Sequence, residues 1–215
     1  MEKGFSYSKL RDVPINRNYY YLVIFSKIFN NQICSCSNDV YMICSDLFDG
    51  TSSSINEIFS VVQSIDNQFK LRRMDRYSTE NIFEDININA TRFTKEIIEK
   101  IEFDDLVKKN EFIKRNRDVI ENGCRYVVLE KKKIVSSAFI SDFIANGCNI
   151  VVNTNEFNRK NGYGKDVVSV CVSWCLENSL VPVYLVDERN ETSVRLAKLV
   201  GLIIQNQEIV ISKRE

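Results

Sequence analysis

The segment Arg-Lys-Asn-Gly-Tyr-Gly, from Arg159 to Gly164, has the residue types and spacing that suit phosphate binding. It lies between a stretch typical of a strand and a stretch typical of a helix. Glycines let the backbone turn tightly, and the first turn of a helix offers unpaired N–H groups and a partial positive charge. Arg159 and Lys160 add full positive charges. The segment therefore predicts a site for a phosphate or pyrophosphate group.

Two other classes of phosphate-binding loop fit the segment less well. A Walker loop needs four residues between its glycines and then Lys with Ser or Thr, whereas Lys165 is followed by Asp166. A dinucleotide-binding fingerprint needs a third glycine where Val167 stands, although Asp187 follows about 20 residues on, as that fold requires. A dinucleotide-binding oxidoreductase therefore remains an alternative.

The elements around this segment are clearest in the C-terminal half. Apolar alternation bounded by turn residues predicts strands, and apolar residues at 3-4 spacing predict helices. Turns at 131–133 and 145–147 make the first three strands an antiparallel meander. The predicted order is β-β-β-α-β-α-β, with strands at 125–130, 134–143 and 148–154, a helix at 165–178, a strand at 181–186, a helix at 190–200 and a strand at 202–211.

The N-terminal half is less regular. Apolar runs predict strands at 19–25 and 40–44, and an amphipathic pattern predicts a helix at 55–69 with its N-cap at Ser54. Two more helices are predicted near 94–102 and 104–121, with a C-cap at Gly123. Residues 70–93 are polar and mixed, so no element is assigned to them.

The composition excludes several classes of function. The chain has no histidine, which rules out His-dependent triads, His-ligated zinc and a histidine general base. Lys+Arg and Asp+Glu are both 29, a balance that gives no electrostatic footprint for nucleic acid or an anionic membrane. The start of the chain is too polar for a signal peptide, so the seven cysteines predict free thiols and a cytoplasmic protein. Cys34, Cys36 and Cys44 lack the spacing of a zinc site, and no metal is expected.

The meander, the Arg159-x-x-Gly162-x-Gly164 pattern and a later segment together resemble the GNAT acyltransferase superfamily. The later segment is Asn-Glu-Thr-Ser-Val-Arg-Leu-Ala-Lys-Leu-Val-Gly-Leu at 190–202, and the resemblance covers about half the chain, residues 110–211. The N-terminal half is similar to the branch that includes zwittermicin-resistance-type acetyltransferases. The resemblance implies a mixed α+β fold, with a mostly antiparallel central sheet, one parallel β-α-β crossover and flanking helices. Residues 110–215 would bind acyl-CoA, and residues 1–109 would shape the acceptor side.

The resemblance also implies which residues bind acetyl-CoA. The pyrophosphate would lie on the 159–164 loop, and the pantetheine arm would bond the backbone of the preceding strand as an added strand would. The implied binding residues are Val152, Thr154, Arg159, Lys160, Asn161, Gly162, Tyr163, Gly164, Lys165, Asn190 and Ser193.

The sequence departs from the family at the positions where many members carry catalytic groups. Ala197 stands where they have a tyrosine acid, and Cys148 stands where they have a glutamate base. Glu156 and Ser193 are the remaining catalytic candidates. Asp142 is a third candidate.

The expected activity is direct acetyl transfer from acetyl-CoA to a small-molecule amine. No nucleic acid and no membrane are expected as partners, and the oligomeric state is left open. A degenerate GNAT-like module that binds CoA esters or a partner without turnover is the alternative.

Overall fold

The computed structural model describes residues 4–14, 19–28, 31–81, 89–144 and 146–214. Short 3-10 turns lie at Lys9–Arg11, Ser45–Leu47 and Glu156–Asn158. The helices are α1 (Asn38–Cys44), α2 (Ser52–Ile65), α3 (Lys95–Glu99), α4 (Leu106–Arg115), α5 (Arg117–Asn122), α6 (Tyr163–Glu177) and α7 (Glu191–Leu199). The strands are β1 (Phe5–Tyr7), β2 (Tyr19–Ile28), β3 (Asn31–Cys36), β4 (Lys70–Ser78), β5 (Thr91–Arg92), β6 (Arg125–Glu130), β7 (Lys133–Ile144), β8 (Gly147–Thr154), β9 (Val181–Asp187) and β10 (Ile203–Arg214).

The chain divides into two compact units. The first contains residues 1–76, 186–190 and 204–215, and the second contains 77–185 and 191–203. The predicted division at residue 109 separated an acceptor side from a CoA-binding side, and that functional division stays a prediction.

The sheet of the first unit has the strand order β1-β3-β2-β10-β4. β2 pairs antiparallel with both β3 and β10, whereas β1 pairs parallel with β3. The parallel β1–β3 pair was not predicted. Helices α1 and α2 supply apolar side chains to one face of this sheet. The buried core there consists of Val23, Phe25, Cys34, Cys36, Val40, Cys44, Phe48, Ile55, Ile58, Val62, Phe69 and Ile211.

The predicted strand at 40–44 is wrong, because these residues belong to helix α1. The Ser37 side chain caps the helix by accepting a hydrogen bond from the backbone N–H of Val40. Val40 and Cys44, one helical turn apart, are buried, whereas Met42 and Ile43 are exposed. A short apolar run does not separate a strand period from a helix period, and the serine cap decides the outcome here.

Two other N-terminal expectations also need correction. Helix α2 begins at Ser52 because Thr51, not Ser54, is its N-cap and accepts a hydrogen bond from the Ser54 N–H. It ends at Ile65, and Phe69 is buried beyond the helix end. The unassigned segment 70–93 contains β4 and β5, while its residues 82–88 lie outside the described part of the chain.

The sheet of the second unit has the strand order β9-β8-β7-β6-β5. The pairs from β5 to β8 are antiparallel, and β8 pairs parallel with β9 across helix α6. The predicted meander and the predicted parallel β-α-β crossover are therefore confirmed. Lys131 and Lys132 both have positive φ, 46° and 62°, as a tight hairpin turn requires. Ala145, in the second predicted turn, lies outside the described residues.

Helices cover both faces of the second sheet. Val127 lies in a cluster with Phe93 and the helices α3 to α5. Val127 aligns across the strands with Asn153 of β8. Cys148 is an odd number of residues from Asn153 on the same strand, and it contacts Cys175 of α6. Because side chains alternate between the two faces of a strand, α6 lies on the face opposite to α3–α5. The fold class predicted from the resemblance, a mixed α+β fold with flanking helices, is confirmed.

Candidate active site

Strands β8 and β9 are paired only near their starts. Their pairs run from Gly147 with Val181 to Asn149 with Val183. β8 continues to Thr154, and within the described residues of this unit no further pair joins the two strands. The backbone groups of β8 that point toward β9 beyond Asn149 are therefore outside the sheet pairing and available to another partner.

Two hydrogen bonds establish which residues of β8 carry these free groups. The carbonyl of Asn146 accepts from the N–H of Val181 on the β9 side at 2.7 Å, and the N–H of Asn155 donates to the carbonyl of Val135 on the β7 side at 2.8 Å. Backbone N–H and C=O groups alternate between the two edges of a strand. The backbone N–H and C=O groups of the even-numbered residues of β8 therefore point toward β9.

Val152 and Thr154 accordingly present their backbone N–H and C=O groups beyond the end of the β8–β9 pairing. Their side chains are half-buried, and Thr154 Oγ1 lies 2.8 Å from Ser136 Oγ on β7. An extended amide chain can add to such an edge as a strand does. The geometry is compatible with the predicted pantetheine contacts, which stay a prediction.

The loop between β8 and α6 turns through two residues with left-handed backbone. Lys160 has φ 69° and Gly162 has φ 83°. Gly162 is the N-cap of α6 and has no side chain with which to cap it, and the first bond of the helix runs from the Asp166 N–H to the Gly162 carbonyl at 3.0 Å. The N–H groups of residues 163–165 therefore have no acceptor within the helix and suit an anion.

The charges around this turn have the sign that an anion needs. Arg159, Lys160, Asn161 and Lys165 are all exposed. Asp166, the acidic residue of the first turn, is buried and accepts hydrogen bonds from the backbone N–H and the side-chain amide of Asn89 at 3.3 and 3.0 Å. From Arg159 to Lys165, the exposed side chains are thus cationic or neutral, while the buried Asp166 carboxylate is bonded by Asn89.

Gly164 and Gly162 differ in what they make possible. Nothing lies within 4 Å of a Cβ built on Gly162, whereas a Cβ on Gly164 would lie 3.2 Å from Thr154 Oγ1 and 3.5 Å from Leu196 Cδ2. Of the two, only Gly162 has positive φ. Gly164 therefore lets α6 pack closely on β8 and α7, and its predicted contact with CoA stays a prediction.

Glu130, at the end of β6, binds both sides of the loop. Its carboxylate accepts hydrogen bonds from the Tyr163 hydroxyl and, at 3.0 Å, from the Asn158 side-chain amide. One carboxylate thus connects the 3-10 turn before the loop with the first residue of the helix after it. Sequence reasoning missed Glu130, because no local pattern links residues about 30 positions apart.

Ser193, the hydroxyl among the catalytic candidates, lies on α7 and contacts a buried tyrosine. Burial raises the pKa of Tyr184 on β9, and a hydrogen bond from Ser193 acts in the opposite direction. Tyr184 is 4% exposed. Sequence reasoning did not single out Tyr184, since its strand reads as an ordinary apolar run. Asn190 belongs to the other compact unit, and its backbone N–H donates to the Asp187 carbonyl at 2.8 Å.

The two carboxylate candidates lie at opposite ends of β8. Glu156 is exposed in the 3-10 turn just before the loop, and its carbonyl accepts from the Arg159 N–H. Asp142 is exposed, has φ 51°, and lies near the start of β8, where its carboxylate accepts from Ser141 at 2.9 Å. The structure therefore brings Glu156, but not Asp142, to the loop.

Ala197 and Cys148, at the family's usual acid and base positions, are both buried. Ala197 is 0% and Cys148 2% exposed. Cys148 Sγ lies 3.1 Å from Cys175 Sγ. The hydrogen bond with Cys148, together with burial, raises the pKa of the Cys175 thiol. These surroundings hold a thiol pair in the core, away from solvent.

All seven cysteines of the chain are free and buried. Within the described residues, no group of three or more Cys, Asp or Glu side chains is arranged to hold a metal ion. In that same part of the chain, none of the helices combines the length and the apolar character that crossing a membrane requires.

Comparisons with known proteins identify the family. Curated protein sequences give no significant match. Among solved structures, a GNAT-family acetyltransferase from Colwellia psychrerythraea has a TM-score of 0.54 at 11% identity, over 91% of this chain and 85% of that one. A conserved protein of unknown function from Staphylococcus epidermidis has a TM-score of 0.53 at 10% identity, over 86% and 85%.

At these identities the two structures support the fold alone. The sequence profile described as GNAT acetyltransferase matches residues 15–208 and so spans most of the chain, including the meander, the loop and α7. The match and the antiparallel strands before the loop argue against the dinucleotide-binding alternative. The chain belongs to the GNAT acetyltransferase family.

Proposed function

We propose that this protein transfers an acetyl group from acetyl-CoA to the amine of a small molecule by direct attack. The proposal rests on one arrangement: the open edge of β8 leads directly into a cationic loop that ends at the uncapped start of α6. That sequence of features matches the order of groups in acetyl-CoA, in which an amide-containing arm joins a pyrophosphate.

Each part of the arrangement has a proposed task. The N–H groups of residues 163–165 would bind the pyrophosphate, with Arg159, Lys160 and Lys165 supplying charge. The backbone of Val152 and Thr154 would bond the amides of the pantetheine arm. Glu130 would hold the loop in this conformation through Tyr163 and Asn158.

The main task of the protein in this reaction is to place the amine next to the thioester. The amine nitrogen forms a bond to the carbonyl carbon of the thioester, the carbon–sulfur bond breaks, and the electron pair leaves with the CoA sulfur. The amine loses one proton, and the sulfur or solvent takes it. Since the thioester is already activated, holding a neutral amine at the carbonyl carbon supplies much of the acceleration.

The proposed base is a relayed water, not a side chain of the loop. Glu156 lies beside the proposed pyrophosphate site, and the pantetheine arm separates that end of CoA from the thioester. Cys148 and Ala197 are buried and offer no accessible acid or base. Water can carry the proton of an amine that is already partly neutral.

A second candidate function is a binding module that holds CoA esters without turnover. The specific observation that favours it is the same pair of residues, Cys148 and Ala197, at positions where many relatives carry catalytic groups. The two candidates share the CoA site and differ only in turnover.

Thermal unfolding and thiol release together test the proposal. Acetyl-CoA at 100 times its dissociation constant should stabilise the fold by about 2.7 kcal/mol, and NAD should not. Stabilisation by NAD alone would overturn the acyl-CoA site. A panel of amines is then added with acetyl-CoA, and release of free CoA is followed with a thiol reagent. Because the cysteines are buried, the native protein contributes little to this signal.

A matched pair of variants ties the result to the loop. Arg159→Gln should weaken acetyl-CoA binding, whereas Arg117→Gln, the same change on the exposed surface of α5, should not. Stabilisation by acetyl-CoA without thiol release for any amine would favour the binding module.

A further inference from the structure

Polar side chains of the first unit gather on one face of its sheet, the face opposite to the apolar core. The pairing of β2 with β10 shifts by one residue between Ile211, opposite Val23, and Ser212, opposite Tyr21. Ile211 and Val23 belong to the core, so Ser212 and Tyr21 lie on the other face. The Tyr19 hydroxyl, 3.3 Å from Ser212 Oγ, lies on that same face. The bulge therefore turns Tyr19 and Tyr21 away from the core.

Charged side chains from three other segments of this unit gather on that face. The Arg72 guanidinium of β4 lies 5.3 Å from the centre of the Tyr19 ring. Arg76, also on β4, donates to Oε1 of Glu208 on β10 through Nε at 3.0 Å and Nη2 at 2.9 Å. Burial lowers the pKa of Arg11, from the 3-10 turn after β1, and the charges of Glu208 and Tyr21 act on that pKa in the opposite direction.

Several polar atoms of this cluster are buried without a hydrogen-bond partner among the described residues. They are Nε and Nη1 of Arg11, Nε of Arg72 and Oε2 of Glu208. Glu208 itself is only 5% exposed. Burying a guanidinium or a carboxylate atom without a partner is costly, so each of these atoms lacks, within the described part of the chain, an interaction that would offset its burial.

The charges of the cluster are also unbalanced. Among the described residues, two carboxylates act on Arg11, Arg72 and Arg76. Glu208 bonds Arg76, whereas Asp187 has both of its oxygens bonded by Arg189, which lowers its pKa more than Arg72 does. The neighbouring acid Asp75 bonds Gln207 at 2.8 Å, on the opposite face of β10 from Glu208. Asp12 is likewise turned away, toward the Tyr7 hydroxyl and the Asn38 N–H. The missing partner is therefore an anion for the arginines, together with a donor for Oε2 of Glu208.

Tyr21 completes the set of donors. Burial, followed by the effect of Tyr19, raises the pKa of Tyr21 to about 12, so its hydroxyl is protonated at neutral pH. A protonated phenol can donate to an anionic group or accept from an ammonium group. It lies among Arg11, Arg72 and Glu208, whose charges all act on it.

We propose that Arg11, Tyr21, Arg72 and Glu208 form a binding site for a small molecule that carries both an anionic group and a primary amine. The anion, a carboxylate or a phosphate, is bound by the free N–H groups of Arg11 and Arg72. The ammonium group donates to Oε2 of Glu208. All four residues belong to one compact unit. If the proposed function holds, such a molecule is a candidate acceptor.

The wild-type protein and a set of simple probes test the binding directly, without acetyl-CoA. Glycine, 3-aminopropanoate, 4-aminobutanoate and 5-aminopentanoate vary the distance between carboxylate and amine, and phosphoethanolamine replaces the carboxylate with phosphate. Butylamine, butanoate and inorganic phosphate each carry one group only. Dissociation constants come from titration calorimetry. At least one bifunctional probe should bind roughly tenfold or more tightly than each single-group probe, because it satisfies both charged groups.

The comparison of carboxylate and phosphate probes identifies the anion that the site prefers. Binding of single-group probes as tight as that of every bifunctional probe would overturn the proposal, and so would the absence of any binding.

Binding measurements on variants then test whether the probes bind at the proposed site. Arg11→Gln should raise the dissociation constant of the tightest-binding probe roughly tenfold or more, since it removes charge-assisted donors. Arg117→Gln, on exposed α5, is the matched control and should leave the dissociation constant unchanged. Equal weakening by both variants, or by neither, would overturn the assignment.

Arg11→Met separates a ligand-binding role from a structural one. Replacing an unpaired buried guanidinium by an apolar side chain should leave the melting temperature of the free protein unchanged or raised, while probe binding is lost. A lower melting temperature with unchanged binding would show that Arg11 is structural. These measurements stand apart from the proposed function, because probe binding without thiol release would refute acetyl transfer and leave this site in place.

Discussion

A Cβ placed on Gly164 would lie 3.2 Å from Oγ1 of Thr154. That oxygen is itself hydrogen-bonded to Ser136 Oγ at 2.8 Å, so it is held in place at the end of β8. The first turn of α6 therefore approaches β8 at a separation that suits glycine. The two glycines of one short motif thus serve different ends: Gly162 permits a left-handed turn, and Gly164 permits close packing.

We expect Gly164→Val to destabilise the fold by roughly 1–3 kcal/mol, the usual cost of forcing extra methyl groups into a packed site. Gly162→Ala meets open space, and its cost, about 1–2 kcal/mol, comes from the left-handed φ of 83°. Chemical denaturation measures both free energies of unfolding. Gly162→Asn is the control, because asparagine tolerates left-handed backbone better than alanine and should recover part of the loss. A fully stable Gly164→Val protein would contradict the packing role.

The hydrogen bonds of Glu130 lead to a kinetic prediction. Glu130→Gln should raise KM for acetyl-CoA by roughly tenfold with kcat little changed, because the carboxylate holds the loop and contacts no reacting atom. Steady-state kinetics over acetyl-CoA concentration separates the two constants. A fall in kcat at unchanged KM would contradict a positioning role.

A double-mutant cycle isolates the Glu130–Tyr163 contact. Glu130→Gln and Tyr163→Phe should be less than additive in the free energy of acetyl-CoA binding, with a coupling of about 1 kcal/mol or more. Glu121→Gln, which removes a carboxylate from an exposed ion pair on α5, serves as the control and should show no coupling to Tyr163→Phe.

The sequence predicted the second unit better than the first for a physical reason. Its elements are bounded by local signals: Gly123 ends α5 with φ 63°, and two lysines form the hairpin turn between β6 and β7. The sequence of β4, in contrast, looks polar because it contains charged residues. The partners that allow these residues to be buried are distant in sequence. Arg76 bonds Glu208 and Asp75 bonds Gln207, each 132 positions away. Without those partners, an apolar pattern is the only visible sign of a buried strand.

The candidate site divides in the same way. The position of the loop, between a strand and a helix, follows from a motif of six residues, and the sequence predicted it. The contacts that hold the loop, from Glu130 to Tyr163 and Asn158, join side chains about 30 positions apart, and no local pattern specifies which side chains meet. The cluster around Glu208 likewise depends on a bulge that alters which residues of β2 face the core.

The ion pair of Asp187 and Arg189 predicts how stability responds to acid. Arg189 donates to both oxygens of the Asp187 carboxylate at 3.0 Å and holds the pKa of that carboxyl below its ordinary value of 3.8. A carboxylate with a lowered pKa in the folded state stabilises the fold above its unfolded pKa, and this contribution is lost as pH falls through the folded pKa. Asp187→Asn should therefore lower the free energy of unfolding at pH 7, by about 1 kcal/mol or less, because the Arg189 partner is largely exposed.

The difference between Asp187→Asn and wild type should shrink as the pH is lowered through 3.8 and below. Urea denaturation at a series of pH values measures it. Arg189→Gln removes the largest cause of the lowered pKa and should therefore reduce the stability that is lost on acidification. A difference that grows on acidification would contradict the sign.

The last prediction concerns the proton that the acceptor amine loses. Ala197 and Cys148 are buried where many relatives keep an acid and a base, and the chain has no histidine. If water relays the proton, kcat/KM should rise with pH as the acceptor deprotonates, and the midpoint should follow the pKa of the amine. Measuring the profile with amines of different basicity separates an amine pKa, which moves with the acceptor, from an enzyme pKa, which does not. Glu156→Gln should then reduce kcat less than tenfold, well short of the roughly 100-fold or greater loss that removing a general base causes. An enzyme pKa that persists across acceptors and disappears in Glu156→Gln, Asp142→Asn or Cys148→Ala would overturn the water relay, and the variant that abolishes it would identify the base.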